Sequence, residues 1–313
     1  MTRLAVMAHY DPRGALAPHV RRQVEALAGA VDDLVVVSTA DLTQASRSFL
    51  RAHARLVERD NVGYDFLSYR AGLDLHDLGA YDEVTVCNDS YVGPLTAYSD
   101  IFAAMAPRES DFWGLSETDR VKHHVQSFFV TFRPPVLASA AFREFWADTE
   151  VLPDRSAVIR RYEVGMSRRL YRAGFASAAY FVENGDDRHL ARRRVRWWAL
   201  RRTGFPAGPA DVALLRRRSA VPWNPSIALA DRALQGARLP HVKIDTLRYD
   251  PYGLGAERLL DLCEERFPAA FEGVRGYLAD TAQAYPPRAA EVLHPVPLPA
   301  RPLRRFVEYH RAR

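Results

Sequence analysis

Four stretches of the chain carry residue types and spacings that could do chemistry. In "RRYEVGMSRRLYRAGF", residues 160–175, Glu163 is a single carboxylate in an otherwise basic and apolar helical pattern. It either pairs with Arg168 or Arg169 along the helix, for a few tenths of a kcal/mol, or stands at the mouth of a helix aimed at a substrate hydroxyl. In the second case the helix dipole and the neighbouring Arg160 and Arg161 would keep it ionised. In "VTVCNDSYVGP", residues 84–94, Asp89 directly follows an apolar strand, where a carboxylate is expensive unless something binds it. Asn88, Asp89 and Ser90 either cap a following helix or offer oxygen to a hard divalent cation, which would in turn neutralise a diphosphate.

The other two stretches read less directly. "DNVGYDFLSYRAG", residues 60–72, holds Asn61 and Gly63 in a turn, then Asp65 and Arg70; it is either a binding loop or a helix entry capped by Asp65. "FWGLSETDRVKHHVQSFFVTFR", residues 112–133, gathers Trp113, Glu117, His123, His124, Gln126 and Ser127. Adjacent histidines cannot share a face on a strand or helix, so paired metal ligation by His123 and His124 is not expected. One histidine beside Gln126 suits a sugar hydroxyl or a phosphate oxygen, with Trp113 as a stacking platform; the alternative is a surface or structural histidine.

The elements that must position these residues alternate. "RLAVMAHYD" and "DDLVVVST" are short, nearly continuous apolar runs, as in parallel strands covered on both faces. Between them "PHVRRQVEAL" has helical spacing, with Pro18 suited to the first turn. "SRSFLRAHARLVER" and "LSYRAGLDLH" read as helices, and "YDEVTVCNDS" as a third strand ending on polar residues. Further on, "QSFFVTFRPPVL" is a strand closed by Pro134 and Pro135, "SAAFREFWADT" a helix, and "YEVGMSRRLYRAGF" a helix stopped by Gly174 before the strand "ASAAYFV". This alternation predicts an open α/β sheet with ligands outside the carboxyl ends of its strands. The Gly/Pro cluster "GFPAGPAD" follows an arginine-rich run and marks a plausible boundary. A helix and a strand in "NPSIALADRALQGARLPHVKIDTLRYDPYG" and a helix at "AERLLDLCEERF" complete the second half, and "HPVPLPARPLRR" reads as an extended tail.

Composition narrows the class. The 313 residues suit one large domain or a domain with a subdomain. No run of about 18 apolar residues is present to span a bilayer, and the opening "MTRLAVMAHYDPRG" does not read as a signal peptide. Two cysteines, Cys87 and Cys263, fit a reducing compartment and exclude a disulfide framework, so a cytoplasmic protein is expected. The formal net charge of +5 is concentrated in residues 188–218, "RHLARRRVRWWALRRTGFPAGPADVALLRRR", whose only acid is Asp211. No nucleic-acid motif accompanies that run, so no nucleic-acid partner is expected. With Ala191, Val195 and Trp198 at helical spacing, the run could instead lie on an anionic membrane surface.

The ordered set "NVGYDFLSYRAGL", "NDSYVGPL", "FWGLSET", "HHVQSFFVTFR" and "YEVGMSRRLYRAGF" resembles the rhamnan synthesis F proteins, rhamnosyltransferases of bacterial polysaccharide assembly. The resemblance runs from the first strand to about Phe181, and more loosely through "NPSIALADRALQGARLPHVKIDTLR". The same order is similar to inverting GT-A glycosyltransferases, with an Asn-x-Gly loop, a strand ending in an aspartate-containing metal motif, and an acid pair opening a helix like "VGMSRRLYRAGF".

The resemblance implies a GT-A-like, mostly parallel sheet flanked by helices: a nucleotide-sugar-binding and catalytic domain over residues 1–185, and a basic, helical extension over 186–313 that completes the site or contacts membrane. It implies inverting transfer of a sugar, L-rhamnose from dTDP-L-rhamnose, to a lipid-linked or polysaccharide acceptor at the inner face of the cell membrane. Glu163 falls where the catalytic base would stand. Asn61, Gly63, Asp65, Arg70, Asn88, Asp89 and Ser90 fall on the donor side, with Asp89 as ligand to Mg2+ or Mn2+. Trp113, Glu117, His124 and Gln126 fall on the acceptor or phosphate side. Two departures stand out: "NDS" replaces Asp-x-Asp, and Tyr162-Glu163 replaces the acid pair. They leave open a non-catalytic carbohydrate- or nucleotide-binding module on the same fold.

Overall fold

The computed structural model describes residues 1–204 and 206–286. The first half folds as strand and helix in turn: β1 (Arg3–His9), α1 (Pro18–Ala28), β2 (Asp33–Ser38), α2 (Gln44–His53), β3 (Arg55–Glu58), α3 (Tyr64–Leu73) and β4 (Glu83–Asn88). Then come β5 (Tyr91–Val92), α4 (Tyr98–Met105), β6 (Phe112–Gly114), the short strands β7 (Glu117–Thr118) and β8 (His124–Val125), and β9 (Phe129–Phe132). After it lie α5 (Pro134–Leu137), α6 (Ala140–Ala147), α7 (Arg155–Val158), a π-helical turn over Ile159–Glu163, α8 (Val164–Arg172) and β10 (Ser177–Ala179).

Seven of these strands form one sheet in the order β3-β2-β1-β4-β9-β6-β10. All neighbours run parallel except β9, which is antiparallel to both β4 and β6. The expected α/β sheet is therefore present, mostly parallel and flanked by helices. Its strands are apolar on both faces because both faces are covered. Ala5 and Met7 of β1 point to one core with Val20 and Val24 of α1 and Phe102 of α4. Leu4 and Val6 point to the other, with Phe66 and Tyr69 of α3, Phe145 of α6 and Leu170 of α8. On that second face α3 lies very close to the sheet. A Cβ at Gly72 would stand 2.3 Å from Val6 Cγ1, so glycine is what permits the approach.

The second half does not stand apart from the first. Here α9 (Gly185–Thr203) and α10 (Pro209–Ser219) form a helical pair, followed by α11 (Pro225–Ala228), β11 (Val242–Lys243), α12 (Ile244–Tyr249), α13 (Ala256–Arg266), α14 (Pro268–Phe271) and α15 (Val274–Asp280). β11 pairs antiparallel with β5, and Val242, Leu260, Cys263 and Phe271 share the core of β1 and α1.

Two expectations change. "ARLVER" does not continue a helix: its Leu56 and Val57 pair with Val36 and Val37, so the chain gains an edge strand, β3. The apolar stripe of the basic segment does not face lipid. Ala191 and Val195 are buried in a small core with Phe181, Ala228 and Leu229, with Trp198 packed against it. Several of the arginines there are structural, with Arg194 forking onto Asp231 at 2.7 and 2.9 Å. The tail "HPVPLPARPLRR" lies outside the described residues.

Candidate functional site

Strand polarity decides which side chains meet. β1 and β4 end at the same edge of the sheet, and antiparallel β9 begins there, so the loop entering β9 faces the loop leaving β4; the Asn88 N–H donates to the Phe128 carbonyl at 3.1 Å. The helix after β3 starts at this edge too. Gly63, with φ of 80°, makes the turn into α3, and Asp65 in the first turn accepts a hydrogen bond from Asn88 Nδ2 at 2.8 Å. The cap reading of "NDS" therefore fails: Asn88 Oδ1 instead closes a local turn, accepting from Ser90 N at 3.2 Å and Ser90 Oγ at 2.5 Å. Asp89 Oδ2 accepts from the Tyr10 N–H at 2.8 Å, tying the ends of β1 and β4 together.

Glu163 comes to the same edge from the other side of β9. Its Oε2 accepts from Ser127 Oγ at 2.7 Å, and its Oε1 lies 3.0 Å from His124 Nε2. His124 Nδ1 lies 2.7 Å from the Lys122 carbonyl. A carbonyl and a carboxylate only accept, so both ring nitrogens carry protons and the pair is an imidazolium facing a carboxylate. Burial works against both charges. The hydrogen bonds of the pair outweigh it, holding Glu163 below the usual carboxylate range, with Ser127 and Lys243 adding to the effect, and raising His124. The His124 side chain is 2% exposed and that of Glu163 23%, so it is the carboxylate that a ligand can reach.

The expected cause of this ionisation is corrected. Glu163 does not open a helix: the chain is helical before it, and a wide π turn at Ile159–Glu163 carries it into α8. Nor does an arginine among the described residues hold it. Arg161 pairs with Glu150 at 2.6 Å, and Arg169 with Glu144 at 2.5 Å. π turns of this kind recur at functional sites because they re-aim one side chain without ending the helix.

One member of the cluster was invisible in the sequence. Lys243, at the end of two-residue β11, donates from Nζ to Ser90 Oγ at 2.5 Å and lies 4.0 Å from the centroid of the Phe128 ring. Burial lowers its ammonium to about 8, against the opposing pull of Asp245, Glu163 and Asp65. Arg155 lies 3.6 Å from Asp245 at the same edge. Burial raises the Asp65 carboxyl most, the Asn88 hydrogen bond and Lys243 draw it down, and the charge of Glu163 pushes it up. The only sequence signal for Lys243 was the loose resemblance around "PHVKIDTLR".

A divalent cation can be tested against these residues. Among the described residues no three His, Cys, Asp or Glu side chains gather as a preformed cage. Asp89 is nevertheless pushed up to about 7 by burial and by the nearby charge of Asp65, against the Tyr10 hydrogen bond. A dication relieves such crowding, and Mg2+ commonly takes only one or two carboxylates, with substrate phosphates and water filling its other positions. Asp65 and Asp89 fit that pattern.

Five other expected residues lie elsewhere. Trp113 is fully buried in β6 among Phe102 and Phe129, so it offers no stacking face. Gln126 is buried too, its Oε1 accepting from Ser116 Oγ at 2.6 Å and Ser226 Oγ at 2.9 Å, which fastens the C-terminal part to the sheet. Arg70 points away from the cluster and donates to the Thr149 carbonyl at 2.8 Å, closing the end of α6. Asn61 is exposed in its turn and has no side-chain hydrogen bond among the described residues. Glu117 accepts from Ser177 Oγ and lines, together with His123, a cavity that Glu163 does not line.

Comparison with known proteins matches the family described as Rhamnan synthesis protein F over residues 34–195. The uncharacterized protein y4gN of Sinorhizobium fredii is 29% identical over 186 residues, 57% of this chain and 48% of that protein. The virulence protein VirA of Vibrio anguillarum is 29% identical over 116 residues, 35% of this chain and 36% of that protein. The chain thus spans half or less of the length of these curated relatives. Among solved structures, Staphylococcus aureus TarS (residues 1–349) aligns over 92% of this chain and 93% of its own, at 12% identity and a TM-score of 0.37. Glucosyl-3-phosphoglycerate synthase from Mycobacterium tuberculosis, in complex with uridine-diphosphate, aligns over 71% of this chain and 82% of its own, at 13% identity and a TM-score of 0.34.

Proposed function

This chain belongs to the rhamnan synthesis protein F family, and from that premise we propose that it is an inverting glycosyltransferase. It moves a sugar, L-rhamnose from dTDP-L-rhamnose, to a lipid-linked or polysaccharide acceptor. The observation that carries the reading is the set of tied polar groups at the sheet edge. There His124 and Ser127 hold the ionised Glu163 carboxylate, Asn88 ties Asp65 to the end of β4, and Lys243 bonds Ser90 of the loop that carries Asp89.

Each group has a role in that reaction. Glu163 takes the proton of the acceptor hydroxyl as it attacks the anomeric carbon from the face opposite the diphosphate. His124 and Ser127 are positioning residues, holding the carboxylate at a fixed angle and ionised. Lys243 offers its ammonium to the charge that builds on the leaving diphosphate, which a preformed cation stabilises most in a partly desolvated cleft. Mg2+ or Mn2+, when bound by Asp65 and Asp89 with the donor's phosphates, supplies further neutralisation of that charge. Asn88 and Ser90 hold the loop that carries Asp89.

The layout supports residues 1–185 as the donor-binding and catalytic part, with 186–313 completing the site through Lys243. A cytoplasmic location at the inner face of the membrane fits a lipid-linked acceptor. No helix among the described residues is long and apolar enough to cross a membrane, and the outward arginines of α9 suit contact with an anionic surface by charge alone. The test is direct. Incubated with nucleotide sugars and acceptor glycans, the protein transfers sugar, and Glu163→Gln loses transfer while keeping donor binding. Donor binding with neither transfer nor donor hydrolysis would replace this reading with a non-catalytic binding module.

A further inference from the structure

A cavity of about 720 Å³, lined by none of Glu163, Asp65, Asp89 and Lys243, opens between the β7–β8 hairpin and the α9–α10 pair. That volume is within the usual range for a small-molecule pocket, about 300–1,000 Å³. Its walls differ in charge. On the helical side stand Arg192 and Arg196, one turn apart on α9, and Arg216 on α10. Nearby arginines are taken: Arg194 is forked onto Asp231, and Arg232 and Arg238 both grip Asp187. Arg192, Arg196 and Arg216 have neither an ion pair nor a side-chain hydrogen bond among the described residues, and all three are exposed. The opposite wall presents the carboxylates of Glu117 and Glu183, and of Asp119, which is paired with His123 at 2.9 Å.

Between the two walls is Trp223, its indole tied at the ring nitrogen and its backbone tied at the carbonyl. Trp223 Nε1 donates to Glu183 Oε1 at 2.6 Å, and the Trp223 carbonyl accepts from Thr118 Oγ1 at 2.6 Å. A fixed aromatic face is a platform for a sugar ring. Carboxylates accept from ring hydroxyls, and planar guanidinium forks match phosphate oxygens two at a time. A polyanion would be repelled by the acidic wall, and a neutral sugar would leave three guanidinium groups unmatched.

We propose that this cavity is a second ligand site for a glycosyl phosphate, with the ring on Trp223, hydroxyls toward Glu117 and Glu183, and the phosphate on Arg192, Arg196 and Arg216. As the acceptor site it rests on the transferase reading; as a binding site it does not.

Titration calorimetry on the full chain tests it, using α-D-glucose 1-phosphate, inorganic phosphate, methyl α-D-glucoside and a short-chain octyl diphosphate glucoside as probes. Glucose 1-phosphate is expected to bind at least tenfold more tightly than either inorganic phosphate or the methyl glucoside. The double variant Arg192→Ala/Arg196→Ala, altered only at exposed positions, is expected to lose at least tenfold. Tighter binding of the octyl diphosphate glucoside assigns the natural ligand to a lipid-linked glycan, and equal binding to a free sugar phosphate. Equal affinity for glucose 1-phosphate and inorganic phosphate, no binding at millimolar concentration, or an unchanged double variant overturns the proposal. A nucleotide-sugar thermal shift, expected to be the same in the double variant and the parent, is read separately. Loss of that shift in the parent would count against the transferase reading and leave the cavity untouched.

Discussion

The sheet-edge cluster and the helical cavity differ in how their charges are matched. At the sheet edge nearly every polar group already has a partner: Asp65 has Asn88, Asp89 has Tyr10, Glu163 has His124 and Ser127, and Lys243 has Ser90. In the helical cavity three guanidinium groups have none among the described residues. Preorganised charge is what a chemical step requires, because reorientation in the transition state is avoided. Unmatched exposed charge on a flexible side chain is what a ligand recruits. The contrast assigns chemistry to the first region and recognition to the second, and it can be broken by substitutions that affect one region and spare the other.

The largest effect is expected at Glu163. Glu163→Gln keeps the shape of the side chain and removes its basicity, so transfer should fall about 10³-fold, while nucleotide-sugar binding changes less than about threefold. A fall in kcat with KM for the donor unchanged is the signature; retained turnover would remove Glu163 from the reaction.

Next come the groups facing the diphosphate. Lys243→Met preserves length and apolar packing on Phe128 but deletes the charge, and should cost about 10²-fold in kcat/KM, with Lys243→Arg recovering part of it. Asp89→Asn should cost about 10²-fold as well and make the remaining activity indifferent to chelation and Mg2+ addition. Chelator-resistant parent activity would confine charge neutralisation to Lys243. Neither variant should alter binding of glucose 1-phosphate in the helical cavity, and a shared loss would merge the two regions into one site.

What the sequence disclosed follows the same division. Asp89, Asp65 and Glu163 were legible because each interrupts an apolar or basic pattern at the end of an element, and polarity at a strand end has few structural uses. Lys243 was not, because its place depends on pairing between two-residue β5 and β11, about 150 positions apart, which no local pattern specifies. Trp113 and Gln126 misled for the converse reason. They lie in a polar-aromatic stretch that looks like a ligand loop, but Gln126 is buried by Ser226, a contact 100 residues away in sequence. β3 was read as helix because "ARLVER" is too short for its strand alternation to outweigh the preceding helical run. The π turn at Ile159–Glu163 leaves no compositional mark, so the sequence indicated that Glu163 matters without indicating how it is aimed.

The smallest effect is the most specific to the geometry. If His124 and Glu163 form an imidazolium–carboxylate pair, their mutual stabilisation has a defined pH window. His124 is raised, so its contribution is complete below the unfolded value of about 6.5 and is lost as pH climbs through the folded one. Glu163 is lowered, so its contribution is complete above the unfolded value of about 4.3 and is lost as pH falls through the folded one. The pair therefore stabilises most between these two values. His124→Gln should cost about 1–2 kcal/mol at pH 5.5, a fall in Tm of about 1.5–3 °C for a chain of 313 residues, and distinctly less at pH 8.5. Comparing parent and variant at each pH cancels the titration of the other histidines. A difference that is the same at both values, or larger at pH 8.5, would mean that His124 is neutral and that Glu163 carries the proton between them. In that case Glu163 could not receive one from an acceptor, and the carboxylate would be a hydrogen-bond anchor for the β7–β8 hairpin instead of the base.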